Sequence, residues 1–287
     1  MTRRWLNGLI ACAAVASLVA PIAPSQPLSA QSSDSVHAAK DTVDPHAAQP
    51  ERPTVATHAY TIAPGYVEIE AGVQDARPSG GAHFFAPMVL KLGIAQRLQL
   101  ELQGGYVRND ALSAKTAGAQ DITVALKQRL LDDAPLLHDF SLQGSVKLPT
   151  GGRGVGTGTT DLSLLLISSR RIGAGELDLN AGYTHRSGGG VAAPSTSTLL
   201  TASFGTPIRG TLGGVAELFS YPGTGGPSGT SSQLGFLFGP TLQVRPWLVL
   251  DAGAILNVRN LGSNAAYAGA TYNVGRIPGF PSRRLGG

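Results

Sequence analysis

Several stretches of this chain carry residue types that catalysis or ligand binding uses. Gly151-Gly-Arg-Gly154-Val-Gly156-Thr-Gly158 has the glycine density of a phosphate cradle, whose backbone N–H groups close on an anion. Such a cradle needs a strand before it and a helix after it. Here Thr160-Asp161-Leu-Ser-Leu follows, with strand character and no Gly-Lys-Ser/Thr, so the run reads as a loop between strands. His185, Ser187 and Asp178 supply the residue types of a hydrolase triad. Strand alternation sets Asp178 and His185 on opposite faces, and no nucleophile elbow surrounds Ser187. His138-Asp139 reads as turn chemistry. His37 and His46 have no partner at ligand spacing and read as solvated tail residues. Cys12 ends a lipobox-like Leu9-Ile-Ala-Cys12, yet the apolar run continues past it through Val19. The expectation is no catalytic, cofactor-binding or metal-binding residues, and no cofactor.

The chain holds 38 Gly and 19 Pro in 287 residues, with only 14% charged residues. That charge fraction is far below the usual ~25% and excludes a highly charged disordered protein. The formal net charge of +4 includes Arg3 and Arg4, and no Lys/Arg cluster offers the footprint a nucleic acid requires. Those two arginines precede an Ala/Leu/Val-rich run from Trp5 to Ala20, ended by Pro21 and Pro24. Small residues at Pro27-Leu-Ser-Ala30 complete a signal peptide over 1–30. Residues 31–64 are rich in Ala, Ser, Asp, Pro and His without a hydrophobic period. They read as a disordered periplasmic linker, because they bury too little apolar surface to offset ordering.

From Tyr66 onward the period is two. Leu98-Gln-Leu-Glu-Leu102, Phe140-Ser-Leu-Gln-Gly-Ser-Val146-Lys-Leu148 and Leu177-Asp-Leu-Asn-Ala181 alternate apolar with polar, and no segment sustains a period of 3.6. Each run is a half-buried strand. Counting gives about twelve strands of roughly 9–12 residues, long enough to cross a bilayer when tilted. Tight connections such as Ile94–Arg97, Ile172–Gly175 and Val244–Pro246 alternate with longer Gly/Ser/Pro-rich loops. Leu131–His138 is the one longer member of the tight set. Short turns at one end and long loops at the other are the habit of an outer-membrane barrel, with turns and both termini on the periplasmic side. The predicted fold is all-β, an antiparallel up-and-down transmembrane β-barrel over 65–276, followed by a C-terminal tail at 277–287.

Alternation alone fits a soluble sandwich as well. Strand length, loop asymmetry and the scarcity of strand lysines favour the membrane. So do two aromatic girdles: Phe84, Phe85, Tyr106, Tyr183, Phe219 and Tyr221 near the outer ends, with Tyr66, Phe140, Phe204 and Trp247 near the inner ones.

Three motifs follow one another in order. They are Gly118-Ala-Gln-Asp121-Ile-Thr-Val-Ala-Leu-Lys127, then Val146-Lys-Leu-Pro149-Thr-Gly151, then Gly156-Thr-Gly158-Thr-Thr-Asp161, with Asn180-Ala-Gly-Tyr183 beyond. Together they resemble the transporter-like outer-membrane barrels of the meta-pathway of phenol degradation family, most clearly over Tyr66 to Arg186. The resemblance implies passage of small molecules, aromatic or hydrophobic ones included. It carries over no binding residues. The chain departs from the family by running past Tyr272-Asn-Val274 to Gly287 instead of ending on a strand aromatic.

The expected function is therefore an outer-membrane channel of a Gram-negative bacterium for passive passage of small solutes. The pore-lining candidates are Glu68, Glu70, Glu101, Lys127, Lys147, Asp161, Asp178 and Asp251, all on the polar set of their strands. Antiparallel pairing is expected to place Glu101 opposite Lys127, and Lys147 near Asp161. The alternatives are a membrane-embedded hydrolase or lipid-modifying barrel, and a plugged structural or adhesin-like barrel. The expected partners are outer-membrane lipids, the barrel-assembly machinery and a small-molecule solute, with no nucleic acid.

Overall fold

The computed structural model describes residues 44–78, 81–111, 115–187, 195–222 and 231–280. The expected signal peptide, most of the tail and the first part of the linker lie outside the described residues. The strands are β1 (Tyr66–Ala76), β2 (Gly81–Ala95), β3 (Leu98–Ala111), β4 (Lys115–Ala119), β5 (Ile122–Ala134), β6 (His138–Leu148) and β7 (Asp161–Ile172). They continue with β8 (Gly175–Arg186), β9 (Thr196–Arg209), β10 (Leu212–Tyr221), β11 (Gln233–Arg245), β12 (Leu248–Arg259) and β13 (Ala265–Arg276). Every strand pairing is antiparallel, nearly all are between chain neighbours, and β1 pairs with both β2 and β13, so the sheet closes on itself. Both β4 and β5 lie along β3, against Tyr106–Asp110 and Leu98–Gln103 respectively. They form one stave interrupted at Gln120-Asp121. The barrel thus has twelve staves.

The alternation seen in the sequence becomes two environments. Leu162, Leu164 and Leu166 point outward and are exposed, while Lys127, Glu68 and Glu101 point inward and are buried. Apolar-out, polar-in is the order a lipid-facing barrel requires, because no water reaches the outer wall at membrane depth. Apolar side chains also collect inside, where Phe219, Leu237 and Tyr267 form the core.

Turns of two or three residues join the strands at the end that holds Tyr66 and Arg276. Arg97, Gly173 and Gly210 take positive φ at their tips, the twist that tight hairpins need. At the opposite end the connection from 149 to 160 is long.

Four expectations are corrected. The connection expected over Leu131–His138 shrinks to 135–137, because β5 continues through a bulge to Ala134, and His138 and Asp139 begin β6. Phe219 and Tyr221 do not join an outer girdle; both turn inward and meet edge-on at 6.3 Å between ring centroids. Glu101 stands opposite Ala125, and Lys127 opposite Gln99, because the β3–β4 pairing sets the register with Tyr106 opposite Ala119 and the break at Gln120-Asp121 then adds only one residue. Most consequentially, the described part of the expected disordered linker, from Asp44 to Pro64, runs inside the barrel. Apolar burial was the wrong criterion for it. A polar inner wall satisfies its backbone instead.

Candidate functional site

The site is the lumen and the segment inside it. The chain enters at the turn end, where the Ala48 N–H donates to the Pro246 carbonyl. His46, expected as a solvated tail residue, bonds the Asn273 carbonyl at 2.9 Å and lies 6.3 Å from the rings of Tyr66 and Trp247. The segment climbs to Glu217 in the middle of β10 and returns to the turn end at Tyr60. There the Tyr60 hydroxyl bonds Glu176 and Asp139, with the Arg129 guanidinium 4.9 Å from its ring centre. It leaves by way of Ile62 and a bridge between Pro64 and Gly93.

Most of its holds are on main chain. The Gln49 N–H donates to Glu68 at 2.7 Å, and those of Glu51 and Arg52 to the two oxygens of Glu70 at 2.8 and 3.1 Å. Glu217 accepts from Val55 and Ala56, both at 2.7 Å. The Asn180 amide takes both the N–H and the carbonyl of Thr57, at 2.7 and 2.9 Å. Ser169 and Gln99 accept from Ala59 and Ile62. Lys91 and Lys127 donate to the carbonyls of Gln49 and His58.

Charge adds to these holds. Lys91 is fully buried and sits 2.9 Å from Glu68, 2.5 Å from Glu70 and 3.8 Å from Glu51. Lys127 pairs with Glu51, not with Glu101. Burial would raise the Glu51 carboxyl, but Lys127 and Lys91 together hold it well below the usual carboxylate range. Arg52 reaches Asp251 at 3.2 Å. Its guanidinium lies in a slot made by Gly72 and Gly269, which face each other across the β1–β13 ladder, and a Cβ on either would overlap it. His58 is pushed down to about 3, by burial first and by the Lys127 ammonium second.

A second polar cluster lies toward the loop end and gathers the sequence motifs. Lys147 stands opposite Asp161 in the ladder and pairs with it at 3.0 Å, and with Asp121 at 3.3 Å. Arg186 adds a pair with Asp161 at 3.0 Å. The Gly151–Gly158 run does cradle an anion, but its own: the Gly151 and Thr157 N–H groups both donate to Asp121 at 2.8 Å. A Cβ on Gly151 or Gly156 would come within 2.8 or 2.6 Å of the Asp121 carboxylate, so the close approach needs glycine.

All eight pore-lining candidates face inward. Glu68, Glu70, Lys127 and Asp251 meet the inner segment; Lys147 and Asp161 belong to the loop-end cluster. Glu101 accepts from Gln99 and Gln103, and Asp178 from Ser169. Asp178 and His185 sit on opposite faces of β8, with His185 exposed. Lys91 and Glu217 were missed among the candidates, although Leu90-Lys-Leu92 and Ala216-Glu-Leu218 show the same alternation. Glu51 and Arg52 carried no strand signal that could have found them. Among the described residues no group of His, Cys, Asp and Glu could hold a metal ion.

No protein-family model matches the chain, and no curated protein sequence matches it. Among solved structures, it is similar to an outer membrane channel from Pseudomonas putida F1, with a TM-score of 0.59 and 14% identity. That match covers 77% of this chain and 100% of the other. The fold is that of an outer-membrane barrel. A KdgM porin aligns at 10% identity over 71% of this chain and 98% of its own, with a TM-score of 0.49. At these identities the likeness is one of fold, and the second carries no further weight.

Proposed function

We propose that this protein is an outer-membrane channel through which small solutes pass passively, beside an inner segment that narrows the path. The observation that carries this reading is a closed twelve-stave wall, apolar outside and lined with charged and amide side chains inside. Such a wall shields a polar interior from lipid, and twelve strands enclose more than the side-chain-filled lumen of eight. The motif resemblance to the phenol-pathway transporter-like family supports a small-molecule cargo, aromatic or hydrophobic solutes included. The placement of Asp178 and His185 on opposite faces favours passage over hydrolysis.

A second reading, a barrel closed for good, draws on the depth to which Val55 and Ala56 penetrate. Single-channel recording of the full chain in planar bilayers separates the two. The channel reading expects discrete conductance steps in the wild-type protein, and larger ones in Arg52→Ala, whose segment loses its hold on Asp251. Silent bilayers for both proteins, with each folded by gel mobility, would overturn it.

A further inference from the structure

The inner wall reads polypeptide main chain more than side chains. Glu70 and Glu217 each offer two carboxylate oxygens to two consecutive N–H groups of the segment. Asn180 closes a two-way amide pair on Thr57, the pairing one strand offers another. Glu68, Ser169 and Gln99 extend the set of acceptors along the segment. Glu217 shows this role most plainly: among the described residues, the bonds to its carboxylate are the two from the Val55 and Ala56 N–H groups. The wall supplies donors as well, since the Lys91 and Lys127 ammonium groups take segment carbonyls.

Consecutive N–H groups that aim at one carboxylate require main chain that turns, and the segment bends at Pro53, Val55, Ala56 and Ala59. Contacts of this kind recognise that bent main chain and tolerate many side chains. The notable side-chain demand is the Arg52 slot, where Gly72 and Gly269 leave room for a guanidinium and Asp251 supplies its counter-charge. We infer that the barrel lumen is a binding site for a bent, arginine-bearing polypeptide segment, and that the chain's own residues 49–62 are its resident ligand. Covalent attachment gives that resident a millimolar-range effective concentration, so a second peptide enters only when the resident is free to leave. The inference does not rest on solute passage. A barrel that conducts nothing could still hold a peptide this way.

The test keeps the whole protein. A specific protease site is inserted after Pro64, which is exposed beside the turn end, and the protein is folded in detergent before it is cut. A fluorescent peptide of residues 44–63 is then added, and its anisotropy is followed with cut and uncut protein. The expected result is saturable uptake by the cut protein alone. A peptide carrying Val55→Thr and Thr61→Val should bind within about threefold of the parent, because no main-chain donor changes. A peptide N-methylated at Val55 and Ala56 should bind at least about tenfold more weakly, having lost both donors to Glu217. An Arg52→Ala peptide should weaken to a similar degree. No uptake by the cut protein would overturn the inference. So would an N-methylated peptide that binds as well as the parent, or side-chain swaps that cost as much as N-methylation.

Discussion

At the scale of the residue, Arg52 shows how small partners make a large one possible. Its guanidinium fits because Gly72 and Gly269 have no Cβ, and it stays because Asp251 faces the same space. Gly269→Ala should evict the guanidinium while leaving the wall intact, since the atoms that must move are the far end of a flexible side chain. The expected outcome is unchanged gel mobility of the folded barrel with faster proteolysis near Arg52. His58 makes a second prediction. Its Nε2 lies 3.3 Å from the Gln49 carbonyl, and its Nδ1 is buried without an acceptor, with Lys127 donating to its own carbonyl. Lys127, Lys91 and Glu51 are the charges that act on it. A second ring proton therefore has no partner and meets the ammonium groups. With the seated value pushed down to about 3 from 6.5, a released segment binds the proton first as pH falls. The seat is then fully stable above about 6.5 and weakens through the window down to about 3, by up to about tenfold per pH unit. Labelling of a cysteine placed at Thr54, taken relative to the same cysteine in the free 44–63 peptide at each pH, should accelerate between pH 7 and pH 5, and His58→Gln should flatten that dependence.

At the scale of the element, the stave made of β4 and β5 explains one success and one failure of reading by alternation. Alternation sets which face each residue takes, so Lys127 and Glu101 were both read as inward. Register depends on turns and breaks: the β3–β4 pairing, with a one-residue step at Gln120-Asp121, sets Lys127 opposite Gln99 and not Glu101. Where no break intervenes, as between β6 and β7, the expected Lys147–Asp161 opposition is what the ladder shows. The same break puts Asp121 under the loop from 149 to 160, where it accepts two N–H bonds and pairs with Lys147. Asp121→Asn keeps the shape but loses the charge. Limited proteolysis at Arg153, which is exposed, should then speed up by about three- to tenfold, the effect of one or two weakened hydrogen bonds.

At the scale of the molecule, charge inside the barrel is unequal. Among the described buried residues, Glu68, Glu70, Glu101, Asp139, Asp161, Glu217 and Asp251 outnumber two lysines, Lys91 and Lys127, and Arg52, Arg129 and Arg186 pair with Asp251, Asp139 and Asp161. A lumen of that sign should prefer cations, so reversal potentials in a potassium chloride gradient should show potassium passing more readily than chloride. Glu217→Gln, which removes a carboxylate with no cation beside it among the described residues, should reduce that preference. The class of the fold, its stave number and the direction of nearly every strand side chain were determined by the sequence alone, because a period of two is a local property of the backbone. Only the tertiary structure decided what fills the barrel. Residues 44–64 carry no periodicity, and their order comes from Glu68, Glu70, Asn180 and Glu217, which lie far along the chain and become neighbours only when the sheet closes. Backbone groups that find their partners across a closed wall leave no local pattern to read.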